Sequence, residues 1–307
     1  MMSPYSISLL IFSVMGLVLA IPSNTCIVMV NLDIIIKKGK LSPSDVIFLA
    51  KGIVNIIFQC VMSLQAILYV FSLEILCIMQ VYVSLNASVY FLTYYSFWLT
   101  FWLSAHYCTS ITNLSYGFFI WIKRIVSNFL SHLLFLTALG VFIVSVPAIW
   151  AVHAESSIYS SENSTEESVI RFHVSLSYFV PTNALGCVVP FCLNLLCLVL
   201  TFSFLLRHVW RVKNNDSGST CPNLQAHVTA LRTIFFLFLV FLFCCIAHVL
   251  MYIRNFLGFT QLLTIVNWNL QLLSPSVEAA IIFQASNKLR RIILRRFWTR
   301  SRRNKET

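Results

Sequence analysis

Apolar residues run through this chain in long stretches, interrupted by short polar segments that carry paired cations. A bilayer-spanning helix needs roughly 20 mostly apolar residues. The stretches predict helices at about residues 5–36, 45–71, 86–113, 129–152, 181–206, 231–257 and 259–287. The expected fold is an all-α membrane protein, a single seven-transmembrane helix bundle over residues 1–287, with the N-terminus outside and the C-terminus cytoplasmic. The pattern is least decisive after Ile75, where breaks near Glu74 and Asn86-Ala87-Ser88 are both weak. Residues 114–128 are expected as a partly helical inner loop. Residues 288–307 alternate cations with Leu289, Ile292, Phe297 and Trp298, a pattern for an amphipathic tail on the inner leaflet.

Residues 98–124 set the expected polarity of the bundle. They begin with Trp98, Phe101 and Trp102, turn sparsely polar, and end on Lys123-Arg124. That gradient fits a helix descending from the outer half of a bilayer to its cytoplasmic edge. The first apolar run has no cationic segment before it and is too long for a cleaved signal, so it is read as a retained helix.

Charge sharpens the picture. The chain has 307 residues and a formal net charge of +11, yet only 10% of residues are charged and 59% are hydrophobic. The cations cluster between apolar runs, at Lys37-Lys38, Lys123-Arg124, Arg207, Arg211 and Arg232, and in the tail. Cytoplasmic loops carry such an excess, so the partner implied is a lipid bilayer and not nucleic acid. The location is a multi-pass one at the plasma membrane.

Polar residues inside apolar runs supply the candidate chemistry. Lys51 and Asn55 share one helical face. Two readings of Lys51 stand side by side: a lysine reaching back to the interface, or an intramembrane ion pair. For the pair, the candidate partner is Glu278, within a polar cluster of Asn24, Lys51, Asn55 and Glu278. The aromatic residues Trp98, Phe101, Trp102, Phe191, Tyr252 and Trp268 are candidates to line a ligand pocket, since such pockets are mainly apolar. Packing against lipid or other helices is the competing role for each. Lys123, Arg124, His208, Arg211, His227 and Arg232 form a basic inner rim. Positive-inside topology explains the cations, but the two histidines exceed it, and either a contact with a cytosolic partner or a latch between the fifth and sixth helices is expected there.

Ten cysteines lie mostly within apolar runs and read as small buried apolar residues. The polar stretch 153–178 has no Cys and holds Asn163-Ser164-Thr165, the best glycosylation sequon. Ser, His and acidic residues are scattered without nucleophile or metal-ligand spacing. No enzyme activity, cofactor or metal is expected.

Several motifs in order resemble the bitter taste (type 2 taste) receptor family of G-protein-coupled receptors. They are Ser104 to Tyr107 with Ile111, Asn113 and Ser115; Trp121-Ile122-Lys123; Pro190-Phe191 with Leu193; Leu205-Leu206 with His208; and Ala226-His227 through Arg232-Thr233. Pro275-Ser276-Val277 and Asn287-Lys288-Leu289 complete the set, together with the sequon at Asn163. Asn55 stands where the family usually has Arg, and Trp102 where it often has Asn. The resemblance implies small-molecule bitter agonists captured in the outer half of the bundle and coupling to a gustducin-like heterotrimeric G protein. A vomeronasal type 1 (pheromone) receptor and, further off, a small-molecule transporter are the alternatives.

Overall fold

The computed structural model describes residues 4–111, 117–159, 167–214, 222–253, 260–286 and 289–292. Its elements in order are α1 (Pro4–Lys38), α2 (Pro43–Phe71), α3 (Leu73–Leu76), α4 (Met79–Ile111), α5 (Gly117–Asn128), α6 (Leu130–Ser145) and α7 (Ala148–Ala151). Two strands follow, β1 (Val152–Tyr159) and β2 (Glu167–Val174). Then come α8 (Leu176–Asn183), a π-helical turn (Ala184–Val188), α9 (Val189–Asn214), α10 (Pro222–Ile253) and α11 (Thr260–Ala285). Among the described residues, 5 helices are long and apolar enough to cross a membrane: Tyr5–Lys38, Pro43–Phe71, Leu130–Ala151, Leu176–Arg207 and Val228–Ala247. The chain is thus a nearly all-helical membrane bundle.

Local sequence explains the ends. α1 stops at Gly39, whose φ of 67° only glycine adopts freely, and whose N–H bonds the Ile35 carbonyl at 2.8 Å. Ser42 then caps α2 by accepting from the Asp45 N–H at 3.3 Å, with Pro43 in the first turn. Ser72 closes α2 onto Leu68, and Cys77 closes α3 onto Leu73. These bonds make a tight turn of the segment around Glu74, so α4 begins at Met79 and not near residue 86.

Proline shapes the other long helices. The stretch expected at 129–152 is interrupted at Pro147, which separates α6 from α7. The stretch expected at 181–206 extends from Leu176 to Asn214 because α8, the π turn and α9 are continuous. Within the π turn's closing bond, Val189 donates to the Ala184 carbonyl. In α11, Pro275 leaves the Gln271 carbonyl without its usual donor, and Ser274 Oγ fills it at 3.1 Å.

The expectation of a purely helical chain misses one feature. β1 and β2 pair antiparallel, from Val152 opposite Val174 to Tyr159 opposite Glu167. Apolar and polar residues alternate with a period of two only near the ends that lead into the helices, over residues 152–155 and 171–174.

Two clusters make the core. The first, with Leu9, Ile27, Phe48, Met62, Leu99, Leu103, Leu272 and Ile282, joins α1, α2, α4 and α11. Glycine lets α1 and α2 approach: a Cβ on Gly52 would stand 3.0 Å from Val28 Cγ2, and one on Gly16 would strike the Gln59 side chain. The second joins α4, the π turn, α9 and α10 through Tyr94, Phe97, Cys187, Phe238, Phe241, Cys244 and Cys245. Gly186 lies flat on the Tyr94 ring. Cys187 and Cys245 face each other as a disulfide pair with Cα atoms 6.4 Å apart, a role outside the expectation that the cysteines serve only as apolar filler.

Candidate functional site

The deepest polar feature is a node where four helices meet. Lys51 is 0% exposed, and its ammonium donates to Glu278 Oε2 at 2.9 Å and to Ser96 Oγ at 3.0 Å. Asn55 Nδ2 donates to Asn24 Oδ1 at 3.2 Å, and Asn24 Nδ2 donates to the carbonyls of Ala20 at 2.8 Å and Pro275 at 3.2 Å. The four polar residues expected to cluster are all buried, and they make two sets of contacts, Lys51 with Glu278 and Asn24 with Asn55. Ser96 of α4 is the member that sequence reasoning missed, because an isolated Ser in an aromatic run carries no signal. A buried ion pair gains little net stability over apolar packing, but removing one partner leaves an uncompensated charge. These contacts link α1, α2, α4 and α11.

A second polar contact ties α4 to α9. Ser104 Oγ donates to Asn194 Oδ1 at 2.7 Å, and Asn194 Nδ2 donates to the Pro190 carbonyl at 3.1 Å. Both side chains are buried, at 1% and 0% exposure.

The predicted aromatic residues do not converge on one cavity. Trp98 Nε1 donates to the Leu185 carbonyl of the π turn at 3.2 Å. Trp102 Nε1 donates to Thr137 Oγ1 of α6 at 3.0 Å. Phe101 lies between them, its ring centroid 5.7 Å from Trp98 and 4.9 Å from Trp102. Phe191 stacks on Phe238 at 5.2 Å and meets Phe241 edge-on at 6.0 Å. Trp268 sits across the bundle, against Tyr69 at 6.3 Å, with Tyr5 beyond it. Tyr252 belongs to α10, but its side chain lies outside the described residues.

Trp98 and Phe191 border one wall, formed by Tyr94, Phe97, Phe238 and Phe241. The Phe97 and Phe241 rings are 4.2 Å apart. Sequence alone did not single out these four, since 26 Phe give every helix candidates. A separate cavity of about 470 Å³ lies between α10 and α11, lined by Phe236, Val240, Phe243, Leu270, Leu273 and Val277, among others. Two of its lining residues, Phe243 and Val277, are exposed, and Cys244 joins it to the cluster that contains the aromatic wall.

Of the basic rim, Arg124 on α5 and Arg232 on α10 are exposed. The side chains of Lys123, His208, Arg211 and His227 lie outside the described residues, as does Asn163. Among the described residues, no group of three His, Cys, Asp or Glu stands close enough to hold a metal ion.

The model of the taste receptor protein family (TAS2R) matches residues 1–301. The chain belongs to the type 2 taste receptor family. Relatives in this family include taste receptor type 2 member 40 of Gallus gallus, 25% identical over 86% of this chain and 82% of its own length. Member 41 of Rattus norvegicus is 29% identical over 76% of this chain and 77% of its own. Member 7 of Pan troglodytes is 25% identical over 95% and 92%. As a type 2 taste receptor the chain is a bitter taste receptor of the G-protein-coupled class, and not an enzyme.

Proposed function

We propose that this taste receptor threads the plasma membrane seven times, through α1, α2, α4, α6 with α7, α8 with α9, α10 and α11. The N-terminus is outside, and the basic segments and the tail are cytoplasmic. Residues 1–287 form the bundle, and 288–307 an amphipathic segment on the inner leaflet. Asn163 lies in the outer loop between β1 and β2 and carries a glycan.

Bitter small molecules bind in the outer half of the bundle. Trp98 and Phe191 are the residues through which they engage the aromatic wall, with Phe101 and Trp102 behind Trp98. Agonists favour the state in which the inner end of α10 moves away from α9, and they do so only by their differential affinity for that state. Lys123, Arg124, His208, Arg211, His227 and Arg232 then meet a gustducin-like heterotrimeric G protein.

The observation that supports this reading best is the aromatic wall between α4, α9 and α10, bordered by half-buried Trp98. The test is expression with a promiscuous G-protein chimera and calcium readout against a panel of bitter compounds. Trp98→Ala is expected to raise the half-maximal agonist concentration by about tenfold, the worth of one aromatic contact, at unchanged surface expression. An unchanged potency would reject the assignment.

A further inference from the structure

The cavity of about 470 Å³ between α10 and α11 falls within the roughly 300–1,000 Å³ of sites that hold small molecules. On α10, Ile234, Leu237, Phe241 and Cys245 are buried, whereas Arg232, Phe236 and Phe243 are exposed. At about 100° per residue the two sets occupy opposite faces. On α11, Val277, Ala280 and Gln284 are exposed on the face opposite buried Ala279 and Ile282. Phe236, Phe243, Val277, Ala280 and Gln284 all line the cavity. It is therefore a groove continuous with the surface that a membrane bundle turns to lipid.

The two ends of the groove differ. At the end lined by Leu270, Leu273 and Ser274 the walls are apolar, and Ser274 Oγ is already engaged with the Gln271 carbonyl at 3.1 Å. At the other end stands the Gln284 amide, across from Phe236. Arg232 precedes Phe236 by one helical turn on the same face. It lies just inside the apolar span that begins at Val228, near enough for its guanidinium to reach the interface. Beyond α11, Ser286 accepts from the N–H of Leu289 at 3.2 Å through its Oγ and from the N–H of Arg290 at 3.1 Å through its carbonyl. These bonds hold exposed Arg290 and Arg291 close to the end of α11. No carboxylate offsets the arginines. The sequence has no Asp or Glu between Asp216 and Glu278, nor between Glu278 and Glu306, and Glu278 is paired with Lys51.

We propose that the groove is a site for an anionic phospholipid, with one acyl chain lying between α10 and α11 and the phosphate against Arg232. From Leu270 to Gln284, α11 rises by about 21 Å at about 1.5 Å per residue. Half of a bilayer's hydrocarbon core is about 15 Å, so an acyl chain of one leaflet fits lengthwise. A compact polar ligand would leave the apolar end unused. A zwitterionic lipid would bring its own cation to an edge that is already cationic, whereas an anionic one gains from each basic residue near the surface. Arg232 serves the phosphate while no G protein is bound. A chain that touches both helices holds the inner part of α10 against α11, the part that moves on activation; only this last consequence rests on the reading above.

The experiment uses the full chain in nanodiscs of phosphatidylcholine carrying phosphatidylglycerol with a diazirine on its acyl chain. No G protein is present, so failure here leaves the receptor reading untouched. After illumination the labelled residues are mapped. Label is expected on the groove residues of α10 and α11 several-fold above that on Phe135, Leu136 and Phe142, which are exposed on α6. Ala280→Trp, which fills the groove from an exposed position, is expected to abolish the groove label and leave the α6 label unchanged; Val277→Trp serves the same purpose should the first variant misfold. Displacement by unlabelled lipid measures the preference for phosphatidylglycerol over phosphatidylcholine. Arg232→Gln is expected to lower that preference roughly fivefold, the worth of one basic residue at an anionic surface, and Arg232→Lys to restore most of it. Equal label on the groove and on α6 in wild type, groove label that persists in the tryptophan variants, or equal displacement by the two lipids would overturn the proposal.

Discussion

Removing one member of the Lys51–Glu278 pair has a cost that follows from its geometry. The two charges are 2.9 Å apart, with side chains 0% and 9% exposed. At an effective dielectric constant near 20 their attraction is about 6 kcal/mol before desolvation is counted. Desolvation offsets most of that gain in the intact pair, but breaking it by deleting one partner costs about 3–5 kcal/mol. Lys51→Met leaves a buried carboxylate, and Glu278→Gln leaves a buried ammonium with only neutral acceptors, Ser96 Oγ and the new amide oxygen. Each single variant is expected to lower the melting temperature of the detergent-solubilised receptor by on the order of 10 °C, at a few degrees per kcal/mol. The double variant removes both charges, so its loss should fall well short of the sum, by at least about 1 kcal/mol of coupling. The assay is thermal melting of the four proteins of the cycle, with surface expression measured in parallel. Additivity within about 0.5 kcal/mol would show that the two groups do not interact, and the account of the node would fail.

Two further outcomes follow from close contacts. Gly186→Ala puts a methyl group onto the Tyr94 ring; a loss of about 1–3 kcal/mol is expected from overpacking, with partial recovery when Tyr94→Leu is added, and a melting point equal to wild type would contradict it. Trp102→Phe keeps the ring but deletes the 3.0 Å bond to Thr137; stability should fall by about 1 kcal/mol while agonist potency stays within about threefold, and a larger potency loss would move Trp102 from helix packing into the ligand contact.

Much of the helical layout could be read from the sequence because lipid imposes a simple rule: long apolar runs, with cations between them. The polar node was legible for the same reason, since Lys51, Asn55 and Glu278 have no place in such runs unless they meet. What escaped was set by contacts without a sequence signature. The start of α4 depends on the turn closed by Ser72 and Cys77, where Glu74 is the single charge in a mostly apolar run. The ribbon was hidden in a stretch whose polarity marked it as a loop. Ser96, Tyr94, Phe97 and Phe241 gained their roles only once α4 was packed against α2, α10 and the π turn, because Ser, Tyr and Phe are common everywhere in this chain. Trp98 and Trp102 look equivalent by spacing, yet their indole N–H groups reach different neighbours, Leu185 and Thr137.

The π turn at Ala184–Val188 has a bearing on how this receptor can vary. An α-helix advances about 100° per residue, and a π turn accommodates one residue beyond that schedule. Everything after it is thereby rotated by roughly a quarter of a revolution relative to an unbroken helix. That phase aims Asn194 at Ser104 and Phe191 at Phe238. Deleting a single residue from the turn would restore regular winding and swing both side chains off their partners, so a one-residue gap here changes the lining of the bundle more than many point substitutions could.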